Sequence, residues 1–345
     1  MSVASIEHRA AWTAASLQVN AEDWVYHLHA DDVAELEQAL QYVKTTGLVV
    51  PKFGAADFPI PGLMAKLARF KEELNFGLGV LYLRDLPIER YSKDDASIIF
   101  WGLGMYFGKP WEQNMRGHVL GDVIDEGKTL DDPSARGYQS AAGLEMHTDG
   151  ADHVGLLCLK QAPVGGENQI VSGMAVFNRL QEKHPEVARH LLATEFCIDW
   201  RNEERPGDLP YHRGHIYEQR GIALTSFALT GYILSAQRHA DVPRLSEDDK
   251  RALEIFQSVA NDPELVFRFT QKPGDMVFLN NHFHFHARTT FTDADDPKEK
   301  RHLRRLWLEA DEWAEHRPVV MSNVLRVAHS YWRNPETSVK QWDNV

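Results

Sequence analysis

Residues 273–291 read PGDMVFLNNHFHFHARTTF, and the fold turns on how this stretch is read. It holds two runs rich in β-formers, 275–279 and 283–290, and histidines at 282, 284 and 286 that alternate as side chains on one strand face do. Working outward, further strand signals lie at 77–86, 154–159, 167–172, 212–217, 222–226, 265–271 and 303–309. Helical patterns mark 31–45, 61–74, 94–107, 175–183, 185–193 and 247–260. Residues 108–145 are rich in Gly, Asp, Ser and Arg with little period, so they read as a long surface excursion of the kind that carries function. Many short strands behind a helical start predict a mainly β protein, a sandwich or barrel decorated with helices. No linker or composition shift divides the chain. It reads as one domain over 1–345, with a core at about 75–310, an N-terminal helical region at 1–74 and a C-terminal tail at 311–345.

The 345 residues carry 50 acidic and 37 basic side chains, a net charge of −13. A negative surface repels phosphate backbones, which disfavours nucleic acid as a partner. No run of about 18 apolar residues is present, so no membrane span is expected. The first 20 residues lack the basic and apolar regions of a signal peptide. Two cysteines, Cys158 and Cys197, make no disulfide framework, and a reducing, cytoplasmic setting is the expectation. A homo-oligomer is compatible with the sequence, which is silent on assembly.

His147 and Asp149 stand two apart in GLEMHTDGADH, residues 143–153. On an extended segment such positions project to the same side, so the pair can share one ion. His286, 139 residues further on, can complete a triangular face. Two imidazoles and one carboxylate with three open positions is the arrangement of non-heme iron(II) oxygenases. Two open positions accept a chelating 2-oxo acid and the third accepts dioxygen. A His-x-Asp pair alone is a weak signal. One of the three alternating histidines suffices for the triad, and at least one of His282 and His284 reads as a packing or hydrogen-bonding residue.

The run RHLRRLW, residues 301–307, follows. Arg301 and Arg305 share one face of a strand pattern and Arg304 takes the other. Arginine suits bidentate pairing with a carboxylate, such as the distal one of 2-oxoglutarate. The plainer reading is a solvated basic run behind the acidic loop 293–299.

Taken in order, GLGVLYLRDLPI (77–88), HTDG (147–150), LLCLKQAPVGGENQIVSG (156–173), PGDMVFLNNHFHFHART (273–289) and RHLRRLWL (301–308) form a specific series. With them the chain resembles the taurine dioxygenase and clavaminate synthase-like (TauD/TfdA) superfamily of Fe(II)/2-oxoglutarate-dependent oxygenases. The resemblance implies a double-stranded β-helix, a jelly-roll barrel with N-terminal and inserted helices, whose mouth holds iron. It implies His147, Asp149 and His286 as the ligands, Arg301 as the partner of the 2-oxoglutarate tail and Arg305 as the partner of an acidic substrate group. The variable gap between His286 and Arg301 leaves the reverse assignment of the two arginines open. Where several members carry a Thr that helps hold 2-oxoglutarate, this chain has Asn168, whose amide can donate instead.

The implied reaction consumes 2-oxoglutarate and O2, releases succinate and carbon dioxide, and oxidises a small molecule, most often by hydroxylation. Arg305 points to a substrate with an acidic group, such as an amino acid derivative. Asp149 in the carboxylate position disfavours halogenation, while desaturation and ring closure use the same ligands and stay open. Two other readings keep the fold. A zinc or manganese hydrolase or isomerase is opposed by the arginine pair, and a non-catalytic binding protein is opposed by the complete triad. Within the excursion Trp111, Tyr138, Gln139 and Glu145 are candidates for the pocket wall, with loop packing as the default. His153 reads as support for the site or as exposed.

Overall fold

The computed structural model describes residues 5–114, 117–129, 132, 135–204, 207–221 and 223–327. In chain order its strands are Val25–His27 (β1), Val80–Arg84 (β2), Lys109–Pro110 (β3), Leu120–Val123 (β4), Leu144–His147 (β5), His153–Lys160 (β6), Val164–Gly165 (β7) and Asn168–Ser172 (β8). They continue with Phe196–Asp199 (β9), Tyr211–Gly214 (β10), Tyr217–Arg220 (β11), Ala223–Ser226 (β12), Phe267–Phe269 (β13), Met276–Asn280 (β14), His284–Arg288 (β15), Phe291–Thr292 (β16) and His302–Glu309 (β17). One sheet runs β1-β2-β14-β6-β17-β3, with β4 also on β17, and a second runs β13-β8-β15-β5. The β1–β2 edge is parallel. The pairs that build the rest of both sheets are antiparallel.

Alternation with period two explains why the large sheet can be buried on both faces. Met276 and Phe278 of β14, Leu81 and Leu83 of β2, and Leu306 and Leu308 of β17 join a core with the helices Ala30–Thr46, Pro61–Phe76 and Lys93–Phe107. The intervening Val277, Leu279, Val80, Tyr82 and Trp307 point the other way, into a core shared with Ile170, Val171 and Phe285 of the small sheet. The helix Lys93–Phe107 settles closely on β17, because a Cβ on Gly104 would lie 2.5 Å from Leu306 Cδ1. Ser92 caps that helix by accepting from Asp95 N at 3.1 Å, an interaction worth about 1 kcal/mol.

The architecture is the two-sheet jelly roll with helices at the N-terminus and inserted between strands. The two sheets do not join into a continuous barrel among the described residues. The expected strand 212–217 is broken into β10 and β11, and Ile222, expected to open the next strand, lies outside the described residues, as does the tail beyond 327. The N-terminal region is not wholly helical, since β1 adds a parallel edge to β2. Nor is 108–145 a surface excursion. Its strands β3 and β4 pair with β17, and Trp111, Gln113 and Leu120 are buried. Pairs of two to four residues carry no readable period, which is why the sequence hides them.

Candidate active site

The small sheet places His147 at the end of β5 directly opposite His286 on β15, with the imidazole centroids 4.4 Å apart. Asp149 follows in the turn after β5, and one ligand atom from each of the three residues lies within 4.8 Å of the others. The turn is held from both sides. Thr148 N donates to Ala228 O at 2.9 Å, and Ala228 N returns a bond to Thr148 Oγ1 at 3.0 Å. Asn281, fully buried, accepts from Asp149 N and donates from Nδ2 to Asp149 O at 3.1 Å and Ala151 O at 2.9 Å.

Hydrogen bonding and burial orient the three side chains toward a common point. His147 Nδ1 donates to Glu145 O at 2.8 Å, which leaves the Nε2 lone pair free. Burial, with the neighbouring His147 second, pushes the His286 pKa down to about 3, so its imidazole is neutral. Its Nδ1 is buried without a hydrogen-bond partner, and its Nε2 reaches Asp149 Oδ2 only at 3.8 Å. Burial alone would raise the Asp149 pKa, but chiefly the Arg305 guanidinium, with the Trp307 N–H bond, holds it below the ordinary carboxylate range. Two imidazoles, each with a ring nitrogen not spent on a protein hydrogen bond, beside one carboxylate fit iron(II).

A cavity of about 440 Å³ opens over these residues, and β17 with the residue just before it supplies one wall through Arg301, Leu303, Arg305 and Trp307. Arg301, 2% exposed, donates from Nε to Gln161 Oε1 at 3.1 Å and lies over the Phe291 ring. Arg288 shares that ring and donates from Nη2 to Ser140 O and Ala142 O. Burial pulls Arg301 to about 10, and burial together with repulsion from Arg301 pulls Arg288 to about 10. Asn168 sits opposite Arg288 across β8 and β15, and its Nδ2 donates to Gln271 Oε1 at 3.2 Å. This end of the cavity gathers two buried guanidiniums.

Arg305 lies at the triad. Its Nε donates to Gln113 Oε1 at 2.8 Å and its Nη1 lies 3.3 Å from both Asp149 oxygens. The guanidinium sits between the rings of Trp307, at 4.7 Å, and Tyr138, at 5.0 Å. Trp307 Nε1 donates to Asp149 Oδ2 at 2.9 Å. Arg304 points the other way and pairs with Asp122 at 2.7 Å.

The remaining candidates divide between packing and the cavity wall. His282 lies in the turn before β15, not on its face, and meets Asp152 at 2.9 Å. His284 is packed against Trp12, which donates to its Nε2. His153 is fully buried within β6, so it is not exposed. Tyr138 and Glu145 line the cavity, whereas Trp111 is packed at 0% exposure and Gln139 bonds Glu126. Sequence reasoning passed over Arg288, Gln113, Asn281 and Trp307. Two were within reach of the period-two rule, since Arg288 follows His286 by two and Trp307 follows Arg305 by two.

A profile of the taurine catabolism dioxygenase TauD, TfdA family matches residues 44–307. FR-33289 synthase of Streptomyces rubellomurinus is 30% identical over 312 residues, covering 88% of this chain and 90% of that protein. The taurine hydroxylase-like protein SAT17 of Stachybotrys chartarum is 30% identical over 310 residues, covering 87% and 79%. Among solved structures, an asparagine oxygenase in complex with Fe(II), 2S,3S-3-hydroxyasparagine and succinate superposes with a TM-score of 0.64 at 16% identity, over 83% of this chain and 93% of that one. The non-heme iron oxygenase OrfP in complex with Fe and alpha-ketoglutaric acid gives 0.60 at 16% identity, over 83% and 94%. With the profile spanning most of the chain and a 30% identical relative covered almost end to end, the chain belongs to the TauD, TfdA family and is a 2-oxoglutarate-dependent non-heme iron dioxygenase.

Proposed function

We propose that His147, Asp149 and His286 hold the iron(II), that Arg301 holds the distal carboxylate of 2-oxoglutarate, and that Arg305 receives an acidic group of a small substrate. The observation that carries this reading is the placement of three ligand atoms within 4.8 Å of one another in the same cavity as a buried arginine whose guanidinium forms no ion pair among the described residues. When bound, iron activates dioxygen, coupled to oxidative decarboxylation of 2-oxoglutarate to succinate and carbon dioxide. The chain's own residues bind, orient and shield. Arg301, immediately before β17, and Arg305 within it are four residues apart, roughly 13 Å along an extended chain. Arg305 touches Asp149, so it stands beside the metal position and Arg301 stands farther off, where a chelated 2-oxo acid would extend its tail. Arg288 adds positive charge there, and Asn168 lies opposite it across the strands.

Arg305, framed by Tyr138 and Trp307, supports a substrate carrying a carboxylate or similar anion, and hydroxylation is the expected outcome. The structural relatives named for asparagine and for L-Arg favour an amino acid or amino acid derivative. Two free cysteines support a cytoplasmic setting, and no helix among the described residues is long and apolar enough to cross a membrane. The test is succinate release from 2-oxoglutarate with iron(II) and ascorbate, screened over amino acids and small acids, with product masses read alongside. A gain of one oxygen atom is expected. A loss of two hydrogens would move the reading to desaturation or ring closure. Failure of the protein to bind iron(II) or 2-oxoglutarate would overturn it.

A further inference from the structure

The Asp149 carboxylate is gripped by two donors that treat its oxygens differently. Arg305 Nη1 lies 3.3 Å from both and does not distinguish them. The Trp307 indole donates to Oδ2 alone, at 2.9 Å and out of water. The same indole lies against the Arg305 guanidinium at 4.7 Å, and Trp307 is only 8% exposed. Beneath it the turn is tight, since a Cβ on Gly150 would meet the indole edge at 3.3 Å. The ring therefore has little room to turn, and its N–H direction is set by packing.

We propose that Trp307 is a positioning residue that fixes the rotation of the Asp149 carboxylate, so that the metal meets one oxygen and not both. A carboxylate free to rotate can chelate with two oxygens and take up a coordination position that the 2-oxo acid or dioxygen needs. The indole N–H ties down one oxygen with a charge-assisted bond that a symmetric chelate would have to weaken. Outer hydrogen bonds of this kind commonly change metal affinity by roughly 10- to 100-fold. The inference rests on the metal reading of the triad, and the experiment separates the two.

The probe is cobalt(II) alone, added to the full-length metal-free protein, with its dissociation constant and visible d–d spectrum as readouts. Trp307→Phe keeps an aromatic face for Arg305 and removes the donor together with part of the ring. It is expected to raise the cobalt dissociation constant by about 10- to 100-fold and to change the spectrum of the bound ion, over and above the modest fall in melting temperature that the lost ring volume brings. Trp307→His, which retains a ring N–H, is expected to fall between wild type and Phe. A purely packing role would lower the melting temperature and leave the spectrum of the bound ion alone. Wild-type affinity and spectrum in Trp307→Phe overturn the proposal. Should the variants not fold, zinc(II) titration of the ¹⁵N-labelled wild type gives the answer. At least one of its nine indole N–H resonances must move, and none moving overturns the proposal. Cobalt binding that is absent in wild type, or survives unchanged in His286→Ala, overturns the metal reading itself and this inference with it.

Discussion

Replacing Arg301 with leucine separates a binding role from a structural one, because the two predict opposite signs. Arg301 is buried, gives one hydrogen bond to Gln161, and is pulled to about 10 by loss of solvent. A buried charge costs several kcal/mol unless something pairs with it. In the ligand-free protein, leucine removes that cost and forfeits a hydrogen bond worth about 1 kcal/mol. Arg301→Leu is therefore expected to melt at or slightly above the wild-type temperature. Binding of 2-oxoglutarate goes the other way. Removing one partner of a buried charge pair costs about 2–5 kcal/mol, which is a rise of roughly 30- to 5,000-fold in the dissociation constant. Lysine keeps the charge without the planar fork and should lie between. The assay is calorimetric titration of 2-oxoglutarate into manganese-loaded protein, with thermal melts with and without the ligand. A dissociation constant within threefold of wild type, in a folded variant, would refute the assignment. The same loss appearing in Arg305→Leu instead would exchange the two arginines.

Four histidines, the fully buried His153 and His284 and the half-buried His212 and His286, have pKa values pushed down to about 3–4, first of all by loss of solvent. The unfolded chain takes up protons near 6.5 that the folded one refuses, so stability is present above that pH and is lost as pH falls toward 4. Each histidine contributes up to about 1.4 kcal/mol per pH unit in that window, and denaturant melts at pH 7 and pH 5 should show it. Equal stability at both would contradict the burial of these rings. Asn281→Ala strips the partners from Asp149 N, Asp149 O and Ala151 O, and should lower unfolding stability by about 2–4 kcal/mol while weakening metal binding. Unchanged cobalt affinity would show that the turn holds itself. Gly166 has φ +74, and a Cβ there would lie 3.1 Å from Arg301 Nε. Gly166→Ala should cost about 1–2 kcal/mol of stability and several-fold in 2-oxoglutarate affinity, both readable in melts with and without the ligand.

The parts of this protein that could be read from sequence are those with a period or a paired spacing. The strands β2, β6, β14 and β17 and the helices Pro185–Ala193 and Glu247–Ala260 announce themselves through apolar patterning. His147 and Asp149 stand out because an i, i+2 pair on an extended segment shares a side. The remainder depends on contacts between distant residues. Gln113 lies 192 positions from the arginine it holds, and Asn281 lies 132 from Asp149. Neither is unusual in its local sequence. The Gly-Gly pair at 165–166 was visible as a motif, but its reason was not. Both residues have positive φ, and a Cβ on Gly165 would strike Thr290 O at 2.2 Å. His282 shows the limit of alternation, since a strand begins where its ladder pairing begins, at His284.

The large sheet interleaves early and late chain, with β14 lying between β2 and β6. During synthesis β2 and β6 therefore have no direct hydrogen-bonded ladder to one another and must wait for residues 276–280 before either gains its shared neighbour. Contacts so distant in sequence close slowly. A nascent chain stalled before that point holds His147 and Asp149 but not His286, so the three side chains can gather only after β15 is made.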